Sequence, residues 1–442
     1  MNVTLKCSLF ALVSFFLSFA LQCTNIGYPF ENHLGTKTPY RIVSNKSFEK
    51  VEFEGCTPRK IWMMVRHGTR NPKISLIEKI KIRLPEIKRL IVENVELPND
   101  FIRNRDLDLF RKWKNGLDHD DKKKLTHEGE EEMLLLAERM QNRFPQLFDN
   151  VYSNTSYKFK YTYSQRTQKS AYYFTTGLFG RATAKDVWYP EPSRKDPILR
   201  FYKLCDKWNT EVKKNPSAMQ EKLIFLNGPE MADTVRDVND RLGLREELLT
   251  LDDIVLMYEM CGFETAWNKK SKSPWCSPFT VDNLKVLEYA EDLKFYWQDG
   301  YGYELTYKQA CPAFADMMTF MQSRIRFPRV TVYFSHSGTI LKMLAHLGLY
   351  KDEEVLTAKN YEHMSGRKWR TSLIDSFGSN IAFVLYGCGS ENKLLTLHQE
   401  NIIRLPACPD TDLCDINKIE EFYLQSFESC DFNSICNNNI RR

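Results

Sequence analysis

The hexapeptide Val65-Arg66-His67-Gly68-Thr69-Arg70 sets an imidazole between two guanidinium groups, directly after the apolar run Ile61 to Val65 and just ahead of Asn71-Pro72. Guanidinium forks match the oxygens of phosphate and carboxylate, so this pattern is an anion site with a nucleophile inside it. Two other stretches share the grammar of a strand that stops at a polar turn. Ser164-Gln165-Arg166-Thr167 follows the alternating run Phe159 to Tyr163, and Ser335-His336-Ser337-Gly338-Thr339 follows Arg329 to Phe334. The chemistry that needs several fixed cations around one imidazole is phosphoryl transfer, in which charge spreads over the equatorial oxygens of the moving group. His67 is the candidate nucleophile, forming a phosphohistidine that water later hydrolyses. Arg66, Arg70 and Arg166 are candidate phosphate ligands, with His336 as a second imidazole.

The elements that must position these residues follow from periodicity. Open α/β sheets build their sites at the C-terminal ends of strands, so the three turns are expected along one sheet edge. Ile381 to Tyr386 reads as a further strand, and Leu394–Leu397 with Ile402–Leu405 as a hairpin around Asn401. Ile74–Leu84 and Leu107–Leu117 read as helices interrupted by Pro85 and Pro98. Thr126 is the expected N-cap of a helix that ends near Phe144-Pro145, with His127 on its surface. Helices are also expected over Gln168–Leu178 and Ile340–Leu347. Prolines at 190, 192, 197 and 216 introduce a stretch of helical patterns. The fold class expected is therefore α/β: a mostly parallel sheet flanked by helices, formed by 23–182 and 283–442. Residues 183–282 are read as a smaller, mostly helical inserted domain, and 74–121 as contributing to its cap.

A chain of 442 residues with 43% hydrophobic and 13% aromatic content can bury a large core. Lys6 followed by the uncharged apolar segment from Cys7 to about Leu21 reads as a secretory signal over 1–22, too short for a confident membrane span. Removing it takes away Lys6 and no acidic residue, which lowers the formal charge of +5 by one to +4. Basic residues are scattered among 57 acidic ones, so no nucleic-acid partner is expected, nor stable membrane insertion. The polar end Asn437 to Arg442 carries neither a lipid-anchor tail nor a retention tetrapeptide, which points to secretion. Beyond Cys7 and Cys23 there are ten cysteines without the doubled spacing of a zinc site. In an oxidising compartment they are expected as disulfides, with Cys408 and Cys414, or Cys261 and Cys276, close enough in sequence to staple a loop. Asn45 and Asn154 open glycosylation sequons.

Arg66-His67-Gly68-Thr69-Arg70-Asn71-Pro72 resembles the RHGxRxP signature of the histidine acid phosphatases, a branch of the phosphoglycerate-mutase-like superfamily that includes phytases. Leu125-Thr126 through Pro145, the turn Ser164 to Arg166, His346 to Asp352 and Phe383 to Cys388 extend the likeness over most of the mature chain, nearest to the multiple inositol polyphosphate phosphatases. The resemblance implies a metal-free phosphomonoesterase without cofactor, acting on inositol polyphosphates and also on 2,3-bisphosphoglycerate. It implies His67 as nucleophile, with Arg66, Arg70, Arg166 and His336 on the scissile phosphate. It further implies the pairs Cys56–Cys388, Cys261–Cys276 and Cys408–Cys414, and Cys205 with a C-terminal cysteine; Cys311 stays unassigned.

One departure stands out. Relatives follow the second histidine with Asp or with Ala-Glu, whose carboxyl protonates the leaving alkoxide; here His336 is followed by Ser337-Gly338. General acid assistance is typically worth about 10²–10⁴ in rate. Two expectations stand side by side: a phosphatase whose acid is supplied by water, by Ser337 or by a carboxylate from elsewhere, and a catalytically silent relative that binds polyanionic phosphates.

Overall fold

The computed structural model describes residues 29–95, 102–244, 248–427 and 430–436. The signal segment, Cys23, Pro98 and Asn437–Arg442 lie outside them. Seven strands form one sheet in the order β2-β3-β1-β4-β5-β6, with β7 also paired to β5. They are β1 (Cys56–Arg66), β2 (Tyr157–Tyr161), β3 (Val330–Ser335), β4 (Asn380–Cys388), β5 (Glu391–His398), β6 (Asn401–Ile403) and β7 (Leu413–Asp415).

The sheet expected to be mostly parallel is mixed. β2, β3 and β1 run parallel, whereas β4, β5, β6 and β7 pair antiparallel. The cause is local: short turns join β4 to β5 and β5 to β6, and hairpins are antiparallel by construction. The second of these is the two-residue turn Gln399-Glu400, with φ of 49° and 68°, so it precedes Asn401 instead of centring on it.

β1 is central and buried on both faces, as its unbroken apolar run requires. Ile61, Met63 and Val65 pack with Val332, Phe334, Met133, Ala137 and Phe174. Trp62 and Met64 face the opposite way, into a larger cluster. Residues 183–282 contribute no strand among the described residues, and Phe225, Met231, Val238 and Met257 from their helices join that same larger cluster.

Two helix readings change. The helix Ile74–Asn94 runs straight through Pro85. An interior proline costs about 3 kcal/mol, but the stripe Ile77, Ile80, Leu84, Ile87 and Ile91 is buried throughout. At about 1.5–3 kcal/mol for each buried side chain, that stripe outweighs the proline. The next helix is Asn104–Lys112, shifted back from the expected Leu107–Leu117. Trp113 leaves it in an extended conformation to donate its Nε1–H to Glu264 at 2.6 Å and to meet Trp275 edge-on at 4.9 Å.

Five disulfides are present among the described residues: Cys56–Cys388, Cys205–Cys436, Cys261–Cys276, Cys311–Cys430 and Cys408–Cys414. Asn154 is exposed; Asn45 is half-buried and its side chain accepts from the Ser47 backbone N–H. His127 is exposed at the start of the helix His127–Arg143, which Thr126 caps.

Candidate active site

The parallel register aligns the strand ends. Arg66 sits opposite Ser335, and Tyr161 opposite Phe334, so His67, His336 and Thr162 emerge together at one edge. β4 runs the other way and starts at that same edge, opposite Val65, which brings the preceding segment Asp375-Ser376-Phe377 into the site.

The turn after β1 is held from every side. The His67 N–H donates to Ser335 O at 3.2 Å, and the Gly68 N–H to Ser170 Oγ at 3.1 Å. The Thr69 N–H and hydroxyl both donate to Glu132, at 2.7 and 2.8 Å. A Cβ on Gly68 would lie 2.4 Å from Gly129 O, so glycine is required for the close approach of this turn to the helix His127–Arg143.

His67 is buried, and its Nδ1 lies 2.9 Å from Gly68 O. That contact places the proton on Nδ1 and leaves Nε2 unprotonated. The His67 and His336 rings meet edge-on at 5.6 Å. Arg166 Nη2 donates to His336 Nδ1 at 3.2 Å, and Thr162 Oγ1 lies 2.9 Å from His336 Nε2. Arg66 donates to the backbone carbonyls of Asp375 and Ser376 and lies over the Phe377 ring at 4.8 Å, with Arg70 over the same ring at 6.0 Å. The structure thus brings together all five site residues expected from the sequence.

The electrostatics are those of a strongly cationic, buried site. Burial, then Arg166, Arg70, Arg66 and His336, hold the His67 imidazolium well below its usual range. Burial, then Arg166, Arg200, Arg70 and Arg66, do the same to His336. Arg70 is pushed down to about 9 by burial and by Arg166 and Arg66, and Arg166 to about 10 by burial and Arg200. The Nε atoms of Arg66, Arg166 and Arg200 are buried without a hydrogen-bond partner. A phosphate dianion would relieve both the repulsion and the missing bonds.

Arg200 carries no sequence signal of a site residue, since it lies in the proline-rich segment with no strand before it. It is brought in by its neighbour: Leu199 O accepts from Ser335 Oγ at 2.6 Å and from Thr339 Oγ1 at 2.8 Å. Beside Arg70 opens a cavity of about 370 Å³ whose lining includes Lys37, Lys73, Lys123, Lys222 and Lys294. Lys222 is pushed down to about 8 by burial and then by Lys294. These lysines come from segments far apart in sequence, and each alone looks like an ordinary surface residue.

The pattern of the histidine phosphatase superfamily (branch 2) matches residues 59–405, which include Arg66, His67, Arg70, Arg166, Arg200 and His336. The chain belongs to that family. Among its relatives, multiple inositol polyphosphate phosphatase 1 of Drosophila melanogaster is 34% identical over 402 residues, covering 88% of this chain and 84% of the relative. The Homo sapiens protein of the same name is 29% identical over 447 residues, covering 91% and 88%. In structure, a phytase from D. castellii superposes with a TM-score of 0.75 at 17% identity, over 93% of this chain and 88% of that one. The protein is accordingly a histidine acid phosphatase, a phosphatase family in which the cluster around His67 is the candidate centre.

Proposed function

We propose that the protein hydrolyses phosphomonoesters of inositol polyphosphates through a phosphohistidine at His67, in the secretory pathway. The observation that carries this reading is the His67 imidazole with its Nε2 free, enclosed by Arg66, Arg70 and Arg166, with Arg70 also in the wall of the lysine-bearing cavity. The substrate class is supported by the names of the two relatives and by a cavity that, besides Lys37 paired with Glu259 and Glu291, carries Lys73, Lys123, Lys222 and Lys294. The scissile phosphate lies among Arg66, Arg70, Arg166 and His336, and its neighbours on the ring meet the lysines. Nε2 of His67 attacks phosphorus and the ester oxygen departs; water then attacks the phosphohistidine. Residues 183–282 and 74–121 act as the cap over the cavity, supported by Leu76, Lys222 and Val255 in its wall. The five disulfides favour an oxidising compartment.

The second reading, a silent polyanion binder, is favoured by one observation, that His336 is followed by Ser337-Gly338 with no carboxylate at either position. Phosphate release from inositol hexakisphosphate by wild type and His67→Ala, with alkali-quenched trapping of the acid-labile phosphohistidine, separates the two. Release that requires His67 supports the enzyme; release unchanged in His67→Ala sinks the mechanism; tight binding with no release favours the binder.

A further inference from the structure

The position that lacks its acid is not without a carboxyl group nearby. Ser337, the first residue of the helix Ser337–His346, is half-buried beside His336, and its hydroxyl is hydrogen-bonded to Asp375 Oδ2. Asp375 is fully buried. Arg66 Nη1 stands 3.5 Å from the same oxygen, while its short bonds go to the carbonyls of Asp375 and Ser376. The other oxygen, Oδ1, is buried with no partner. A fully buried carboxyl with an unpartnered oxygen favours its neutral form, and a proton on Oδ2 lies between that oxygen and the Ser337 hydroxyl.

We infer that Ser337 and Asp375 form a two-member proton relay that replaces the missing general acid. As the bond from phosphorus to the ester oxygen breaks and the bond from phosphorus to His67 Nε2 forms, Ser337 gives its hydroxyl proton to the departing alkoxide and takes the carboxyl proton of Asp375. In the second half, Asp375 takes back a proton through Ser337 from the water that attacks the phosphohistidine. Both protons are accounted for, and the relay starts the next cycle unchanged. This inference rests on the phosphatase reading above.

The surroundings suit the task. The charged groups facing Asp375 are Arg66 from β1, and Asp299 and Glu291 from the helix Val281–Asp299. Burial dominates, Arg66 and the hydrogen bond from Ser337 oppose it and the two carboxylates add to it, so the Asp375 carboxyl is pushed up to about 7. It is largely protonated in an acidic compartment yet able to give the proton up. Asp299 is the competing candidate, since its Oδ1 lies 3.0 Å from where a Cβ on Gly338 would be. That oxygen already accepts from the Lys342 ammonium, which leaves Asp299 an acceptor.

The test uses two leaving groups. p-Nitrophenolate departs without a proton, whereas an inositol alkoxide needs one, so kcat/KM is measured on p-nitrophenyl phosphate and on inositol hexakisphosphate for wild type, Asp375→Asn and Ser337→Ala. The expected result is a loss of about 10²-fold or more on the inositol substrate in both variants, with p-nitrophenyl phosphate nearly unaffected. The wild-type inositol rate should fall as pH rises through about 7, and that limb should vanish in Asp375→Asn. Equal losses on both substrates would reduce Asp375 to a packing role and overturn the relay, as would inositol rates left intact. A wild type inactive on both substrates would overturn the phosphatase reading itself.

Discussion

His67 stands among cations that all oppose its protonation, and this fixes a sign. A histidine held below its usual range remains an unprotonated nucleophile into acid, so the acid limb of kcat/KM should lie below the ordinary histidine range near pH 6.5. A pH profile centred on a limb at 6.5 or above would contradict that assignment. Arg166 is bonded to His336, and in the proposed mechanism it binds the same phosphate. Arg166→Ala should lower kcat/KM by about 10²–10³-fold, the usual effect of removing one fixed donor to a developing charge. Asp375 carries the opposite sign with respect to stability. Its folded-state value, pushed up to about 7, lies above that of an unfolded aspartate near 3.9, so ionisation works against the fold as pH rises between those values. Asp375→Asn should therefore be no less stable than wild type in thermal unfolding above pH 7, even as it loses activity.

At the scale of elements, the turn after β1 depends on contact between two glycines. Gly68 and Gly129 leave no room for a Cβ between the catalytic turn and the helix His127–Arg143. Gly68→Ala should preserve the fold, read by circular dichroism, and abolish most activity by shifting His67; about 1 Å of misplacement can cost 10²-fold. The strand-end residues Arg66, His67, Arg166 and His336 were legible in sequence because parallel strands deliver their C-terminal ends to one edge, whatever the helices between them do. Asp375 was not legible, since it arrives by an antiparallel strand that begins at that edge, and nothing local distinguishes its carboxyl from a surface one. Arg200 was hidden for a similar reason: its place depends on two hydroxyls, Ser335 and Thr339, reaching back to Leu199. The path of the helix Ile74–Asn94 through Pro85 was misread because the propensity cost is local whereas the compensating burial is tertiary.

Across the whole molecule, cationic side chains from five separated regions converge on one cavity. KM for inositol hexakisphosphate should rise with sodium chloride, and Lys123→Ala with Lys222→Ala should raise KM for that substrate while leaving p-nitrophenyl phosphate nearly unchanged. Two disulfides, Cys205–Cys436 and Cys311–Cys430, tie the C-terminal segment to the helical layer. Replacing Cys311 and Cys430 together by alanine should lower unfolding free energy by about 2–5 kcal/mol, measured by denaturant titration. The central place of β1 also has a consequence in time. Its partners on either side, β3 and β4, begin at residues 330 and 380, so the strand that leads to His67 is among the first made and among the last to find its neighbours. During synthesis an apolar run destined for the middle of the sheet must wait for nearly three hundred further residues, which favours slow folding and reliance on chaperones. A ribosome-released fragment ending before Val330 should accordingly be insoluble and inert, and catalytic competence should appear only once the last third of the chain has emerged.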